Sequence, residues 1–209
     1  MTLRASTTSS HATRIDSFTS SWRGTPHQTR QPPNALRDPM SPVIVPALVV
    51  AVLLMMLVEA QLSNHNERVL RARGAIEPPD DVIRRMRVAY PSTFVLMGLE
   101  GMARGSADGG TLMAGLAIFT AAKILKFWAI GSLGVRWSFK VLVLPDAPLI
   151  SSGPYRLLRH PNYVAVTGEL VGVAVAIVAP IAGVIGTLFF VWLMRRRIQI
   201  EERALGIRR

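Results

Sequence analysis

The sequence predicts an all-α integral membrane protein of five transmembrane helices, the last two forming a tight hairpin. Three observations carry that prediction. Half of the 209 residues are hydrophobic, yet the formal charge is +11, so apolar and basic residues are segregated along the chain. The apolar runs come near or exceed the roughly 20 residues that a spanning helix needs. The basic residues gather in alternate connections between those runs, as the positive-inside bias of multi-pass proteins requires.

The first run, PVIVPALVVAVLLMMLVEAQL at 42–62, meets the length standard outright. The second, VAYPSTFVLMGLEGM at 88–102, is shorter and holds Pro91 and Glu100. The third, TLMAGLAIFTAAKILKFWAIGSL at 111–133, is long enough and carries Lys123 and Lys126 on one helical face. Residues 163–194 contain Glu169 as their one charge and have Pro180 and Gly183 near the middle. Thirty-two positions are too many for one crossing, so they read as two helices, the second continuing through RRRIQIEERAL. With five spans, Arg68 to Arg87, Arg136 to Arg159 and Arg195 to Arg209 fall on one side, and outside the amino-terminal arm Arg104 stands alone on the other. The rich side is then cytoplasmic.

Residues 1–40 are rich in Ser, Thr, Arg and Pro, with Asp16 and Asp38 as their acids. They cannot bury a core and read as a disordered extension ahead of a membrane domain at 41–209. Basic clusters beside apolar runs anchor a chain at the cytoplasmic face, and nucleic acid is not expected as a partner. The absence of cysteine excludes disulfides, thiolate metal sites and a cysteine nucleophile. His11, His27, His65 and His160 make no metal cluster, and the chain has no Rossmann, Walker, nucleophile-elbow or zincin motif.

The polar chemistry gathers in SSGPYRLLRHPNY at 151–163. Proline suits the first position of a helix and disfavours helical geometry in the residue before it, so a helix should begin at Pro161 after His160. Its first backbone N–H groups and its dipole would suit an anion, with Tyr155, Arg159, His160 and Tyr163 around it. In the last helix Arg197 and Glu201 are four apart and share a face. Glu59, Glu100, Lys123, Lys126 and Glu169 lie within apolar runs, where ionisable groups point to pairing or function. Glu100 and Glu169 are the candidates to pair with Lys126, while Glu59 and Lys123 stand nearer the ends of their runs.

These segments, LGVRWSFKVLVLPDAPLISSGPYRLLRHPNYVAVTGELVG followed by EERAL, resemble the isoprenylcysteine carboxyl methyltransferase family and its bacterial members. The segment NHNERVLRARGAIE at 64–77 is similar to their first cytoplasmic loop. The resemblance covers roughly 42–207 and implies a membrane methyltransferase with a cytoplasmic cofactor pocket that holds S-adenosylmethionine without a Rossmann domain. By the same resemblance the cofactor positions are Lys140, Ala147, Pro148, Leu149, Ile150, Tyr155, His160, Pro161, Asn162, Tyr163 and Glu201, and Arg197 faces the substrate. Lys140 and Ala147 stand where eukaryotic members have glutamine and histidine, so contacts there are expected through backbone.

The reaction implied is O-methylation of a carboxylate, or of a phenol, on a lipophilic or prenylated substrate that arrives through membrane lipid. An NADPH-dependent membrane reductase of the sterol reductase type, which shares the RHPxY ending, and a non-enzymatic membrane scaffold are the alternatives. No obligate protein partner is expected.

Overall fold

A computed structural model describes residues 43–79, 82–105, 107–145, 147–204 and 206. The expected extension at 1–40 lies outside the described residues. Among those described the chain is all-helical, with α1 at Ile44–Ala72, α2 at Ile83–Arg104, α3 at Gly109–Leu133, α4 at Pro161–Ala176 and α5 at Pro180–Ala204. Short 3-10 turns at Gly134–Arg136 and Gly153–Arg156 interrupt the long connection between α3 and α4.

The hairpin is formed as the sequence suggests. Helix α4 ends in a turn at Ile177, and Pro180 opens α5, where its fixed φ and missing N–H cost least. Glu100 of α2 serves this junction instead of Lys126. Its carboxylate accepts the backbone N–H of Ile181 at 3.1 Å and of Ala182 at 2.6 Å, and Arg104 Nε donates to it at 2.7 Å. The first donors of α5 are thus satisfied from a neighbouring helix.

Two of the five helices, α1 and the stretch Gly109–Arg136, are long and apolar enough to cross a membrane by length and composition. The expectation of five goes further than this standard. Helix α4 has 16 residues, fewer than the roughly 20 of a full crossing. Helix α2 carries Arg84, Arg85 and Arg87 in its first turns, and α5 ends in a charged stretch. Pro91 lies inside α2 without ending it.

A core of buried apolar side chains joins α1 (Val45, Val49, Val52), α2 (Phe94, Met97), α4 (Leu170, Val173) and α5 (Phe190, Leu193). Helices α3 and α4 pack backbone to backbone, as membrane helices do through small residues. A Cβ on Gly115 would stand 2.2 Å from the backbone nitrogen of Ala176 and 2.4 Å from its Cα, and backbone cannot move aside as a side chain can. Gly115→Ala is therefore expected to lower stability by about 1 to 3 kcal/mol, seen as a lower midpoint of thermal unfolding in detergent.

Candidate active site

The site is built on the connection between α3 and α4. After the 3-10 turn at Gly134–Arg136, residues 137–145 and 147–151 run as irregular backbone, and α1 holds the first of these stretches in place by extending well past its apolar run. Asn66 Nδ2 donates to the Trp137 carbonyl at 2.8 Å, and Ser63 Oγ accepts the Phe139 N–H at 2.7 Å. Beyond α1, Ile76 and Val143 exchange backbone hydrogen bonds of 2.9 and 3.0 Å in an isolated antiparallel bridge. Glu77 completes this clasp, pairing with Lys140 Nζ at 3.0 Å and with Arg71.

Burial works to raise the Glu77 pKa, but hydrogen bonds from Lys140 and Arg71 and their charges outweigh it and leave the carboxyl below its ordinary value. A depressed pKa means that the clasp contributes stability above the ordinary glutamate pKa, about 4.3, and loses it as pH falls through the lowered value. Glu77→Gln is expected to loosen residues 137–144 at neutral pH, read as faster amide hydrogen exchange there, and its effect should shrink as pH falls through the lowered pKa of the native carboxyl.

After the clasp the chain turns at Gly153, whose φ is +59°. A Cβ there would meet Ser132 Oγ at 2.0 Å, so glycine is required both by conformation and by space. Helix α4 then begins at Pro161 as expected, with no side-chain cap from His160. The N–H groups of Tyr163 and Val164 turn back onto the His160 carbonyl at 3.1 and 3.3 Å, so the anion-binding end of α4 is narrower than the sequence suggested.

The carboxyl-terminal part of α5 meets this turn. Tyr163 donates its hydroxyl to Glu201 Oε2 at 2.7 Å and accepts from Arg197 Nε at 3.0 Å. His160 Nε2 lies 3.3 Å from Glu202 Oε1. Tyr155 stands near enough that its hydroxyl pKa is raised, first by burial and then by the charge of Glu201. The two stretches singled out in the sequence therefore form one polar cluster.

A cavity of about 1400 Å³ opens onto this cluster. Lys140, Ala147, Pro148, Leu149, Ile150, Tyr155, His160, Asn162, Tyr163, Arg197 and Glu201 all line it. Pro161 does not, because it is buried beneath the first turn of α4. Lys140 has its ammonium engaged by Glu77, which gives it a hold on the connecting segment as well as a place on the wall. Asn162 Oδ1 is buried without a hydrogen-bond partner among the described residues.

Sequence reasoning missed the other half of the cavity wall. Leu53, Met56 and Leu57 of α1 and Ile83, Met86 and Tyr90 of α2 make an apolar chamber contiguous with the polar cluster. Below it lies a buried ion network. Lys123 Nζ is 2.7 Å from Glu59 Oε1, and Lys126 Nζ is 2.5 Å from Glu59 Oε2. Glu169 Oε1 stands 3.3 Å from Lys123 and 3.2 Å from Lys126, and Tyr90 donates to Glu169 Oε2. The Lys126–Glu169 pair was foreseen, whereas the inclusion of Glu59 and Lys123 was not. The signal was there in Glu59 and Ser63, which continue the buried stripe of α1 at helical spacing.

Residues 114–207 match the isoprenylcysteine carboxyl methyltransferase (ICMT) family. The chain is similar to the uncharacterized protein YpbQ of Bacillus subtilis, 26% identical over 70% of this chain and 88% of that protein. It is likewise similar to an uncharacterized protein of Haemophilus influenzae, 26% identical over 69% of this chain and 85% of the other. No solved structure matches the chain significantly. The stretch similar to the isoprenylcysteine carboxyl methyltransferase family, residues 114–207, contains the α4 turn, the α5 cluster and most of the cavity's polar wall.

Proposed function

We infer that the chain is an S-adenosylmethionine-dependent O-methyltransferase acting on the carboxylate, or the phenol, of a lipophilic acceptor. The observation that carries this reading is the Tyr163 hydroxyl, which ties Arg197 and Glu201 together on the wall of a cavity whose other side is apolar.

The residues present fit the family's cofactor. The orphaned Asn162 Oδ1 is an acceptor awaiting a donor, and Glu201 offers a carboxylate suited to an ammonium. The backbone of residues 147–150 borders the same space. When bound, S-adenosylmethionine supplies an electrophilic methyl on a sulfonium. Everything else falls to the chain's own side chains. Arg197, only 6% exposed, holds a fixed positive charge where an acceptor carboxylate can be clamped and oriented. Such a carboxylate is already ionised at neutral pH, so no base is required. A phenol, with an ordinary pKa near 10, would need one, and His160 paired with Glu202 is the nearest imidazole.

All five helices are read here as membrane-spanning, with the polar cluster at the cytoplasmic end. Support comes from the large apolar side chains turned outward on the helices that fall short by composition, among them Leu96 and Leu99 on α2, Val164 and Val171 on α4, and Ile185 and Leu188 on α5. Exposed apolar surface on this scale calls for lipid. The apolar chamber between α1 and α2 then admits an acceptor sideways from the bilayer.

Titrating the purified chain in detergent with S-adenosylhomocysteine and, separately, with NADPH tests the reading. Saturable binding of S-adenosylhomocysteine alone is expected. Binding of NADPH alone would replace the reading with a reductase, and binding of neither would leave a scaffold.

A further inference from the structure

The cavity has a second polar end, distant from Arg197. Glu59, Lys126 and Tyr90, three members of the buried network, lie on its wall. Ionisable groups inside a membrane domain are expensive, and as a stabilising device a buried ion pair does no better than well-packed apolar residues. The network is charge-balanced, with two lysines and two glutamates. It is not saturated in hydrogen bonds. The three N–H donors of Lys126 meet three carboxylate oxygens, one of Glu59 and two of Glu169, whereas each Glu59 oxygen takes one lysine hydrogen bond and keeps a lone pair for another donor.

Helix geometry gives the separation. Tyr163 and Glu169 are six residues apart on α4, which at 1.5 Å per residue is about 9 Å. Val166 of α4 and Phe190 of α5, both on the cavity wall, make the stretch between the two ends apolar. The space is thus polar, apolar and polar again along its length.

The geometry points to a second recognition subsite at Glu59, Lys126 and Tyr90 that takes an uncharged hydroxyl of the methyl acceptor, about 9 Å along α4 from the Tyr163 end where Arg197 holds the other group. The oxygen is uncharged because a net charge would unbalance the network. A wholly hydrocarbon acceptor would lay carbon against charged groups and leave their remaining hydrogen-bonding capacity unmet. The subsite therefore selects acceptors with oxygen at both ends of a short apolar stretch. This rests on the reading that the acceptor is anchored at Arg197.

Palmitic acid and its analogue hydroxylated on the eighth carbon differ by one oxygen at the required distance from the carboxylate. Binding of each to the full chain in nanodiscs is read by tryptophan fluorescence, to which Trp137 on the cavity wall contributes. The hydroxy acid is expected to bind about ten-fold more tightly, the value of one good hydrogen bond. Lys126→Met and Glu59→Gln are each expected to bring the ratio close to unity. Lys126→Arg keeps the ion pairs and the fold but fills the subsite with a larger group, and is expected to do the same. A ratio near unity in the unmodified chain, no binding of either acid, or a ratio unchanged in all the variants would overturn the subsite. Failure of S-adenosylhomocysteine to bind while the ratio holds would strike the methyltransferase reading instead.

Discussion

Arg197→Ala is expected to reduce methyl transfer by at least about 100-fold, the cost of losing alignment at a reacting centre, while S-adenosylhomocysteine affinity stays nearly unchanged. Glu201→Ala is expected to do the opposite, weakening that affinity by about ten-fold or more, as befits a lost charge-assisted hydrogen bond. The two side chains sit one helical turn apart on α5 and share the Tyr163 hydroxyl as a partner, so a purely structural role would move both measurements together. Tyr163→Phe provides that comparison: it cuts the link between them and should impair both. Calorimetric titration with S-adenosylhomocysteine and incorporation of labelled methyl into membrane lipid extracts separate the outcomes. The reverse pattern would exchange the roles of Arg197 and Glu201.

The largest effect on stability is expected from Glu169→Leu. Glu169 is fully buried on α4 between two ammonium groups and the Tyr90 hydroxyl. Its loss leaves two lysines facing Glu59 alone, and an uncompensated buried charge costs about 3 to 5 kcal/mol. Thermal unfolding in detergent should show this as a much lower midpoint. Glu169→Leu combined with Lys126→Met restores charge balance and should recover part of the loss. Equal destabilisation by the single and double variants would mean that Glu169 acts through packing and not through charge.

Much of the candidate site was legible in the sequence because its parts are local. A proline after His160, a glycine before Pro154 and a four-residue spacing between Arg197 and Glu201 each carry geometry within one or two turns of chain. Helix α5, continuing from Pro180 to Ala204, needed only a proline and an apolar run to be seen. The network around Lys126 was harder, since Glu59 and Lys126 stand 67 positions apart and meet only once the fold brings the long side chains of α1 and α3 within reach of each other. Glu100 went to the start of α5 for a related reason: whether a carboxylate meets a lysine or a bare helix end depends on which helix lies next to it. The polar continuation of α1 through Ser63 and Asn66 was hidden because its partners are backbone groups of an irregular segment, which leave no pattern of side chains to read.

The division of the cavity wall has an evolutionary consequence. The part that suits the methyl donor comes from residues 134–204, while the chamber suited to the acceptor draws on α1 and α2, upstream of the region that matches the family. On the proposed function, the walls that α1 and α2 give the acceptor chamber can change while the donor side, and Arg197 that anchors the acceptor, are kept. Grafting the first two helices of one relative onto the remainder of a second should transfer the first one's preference.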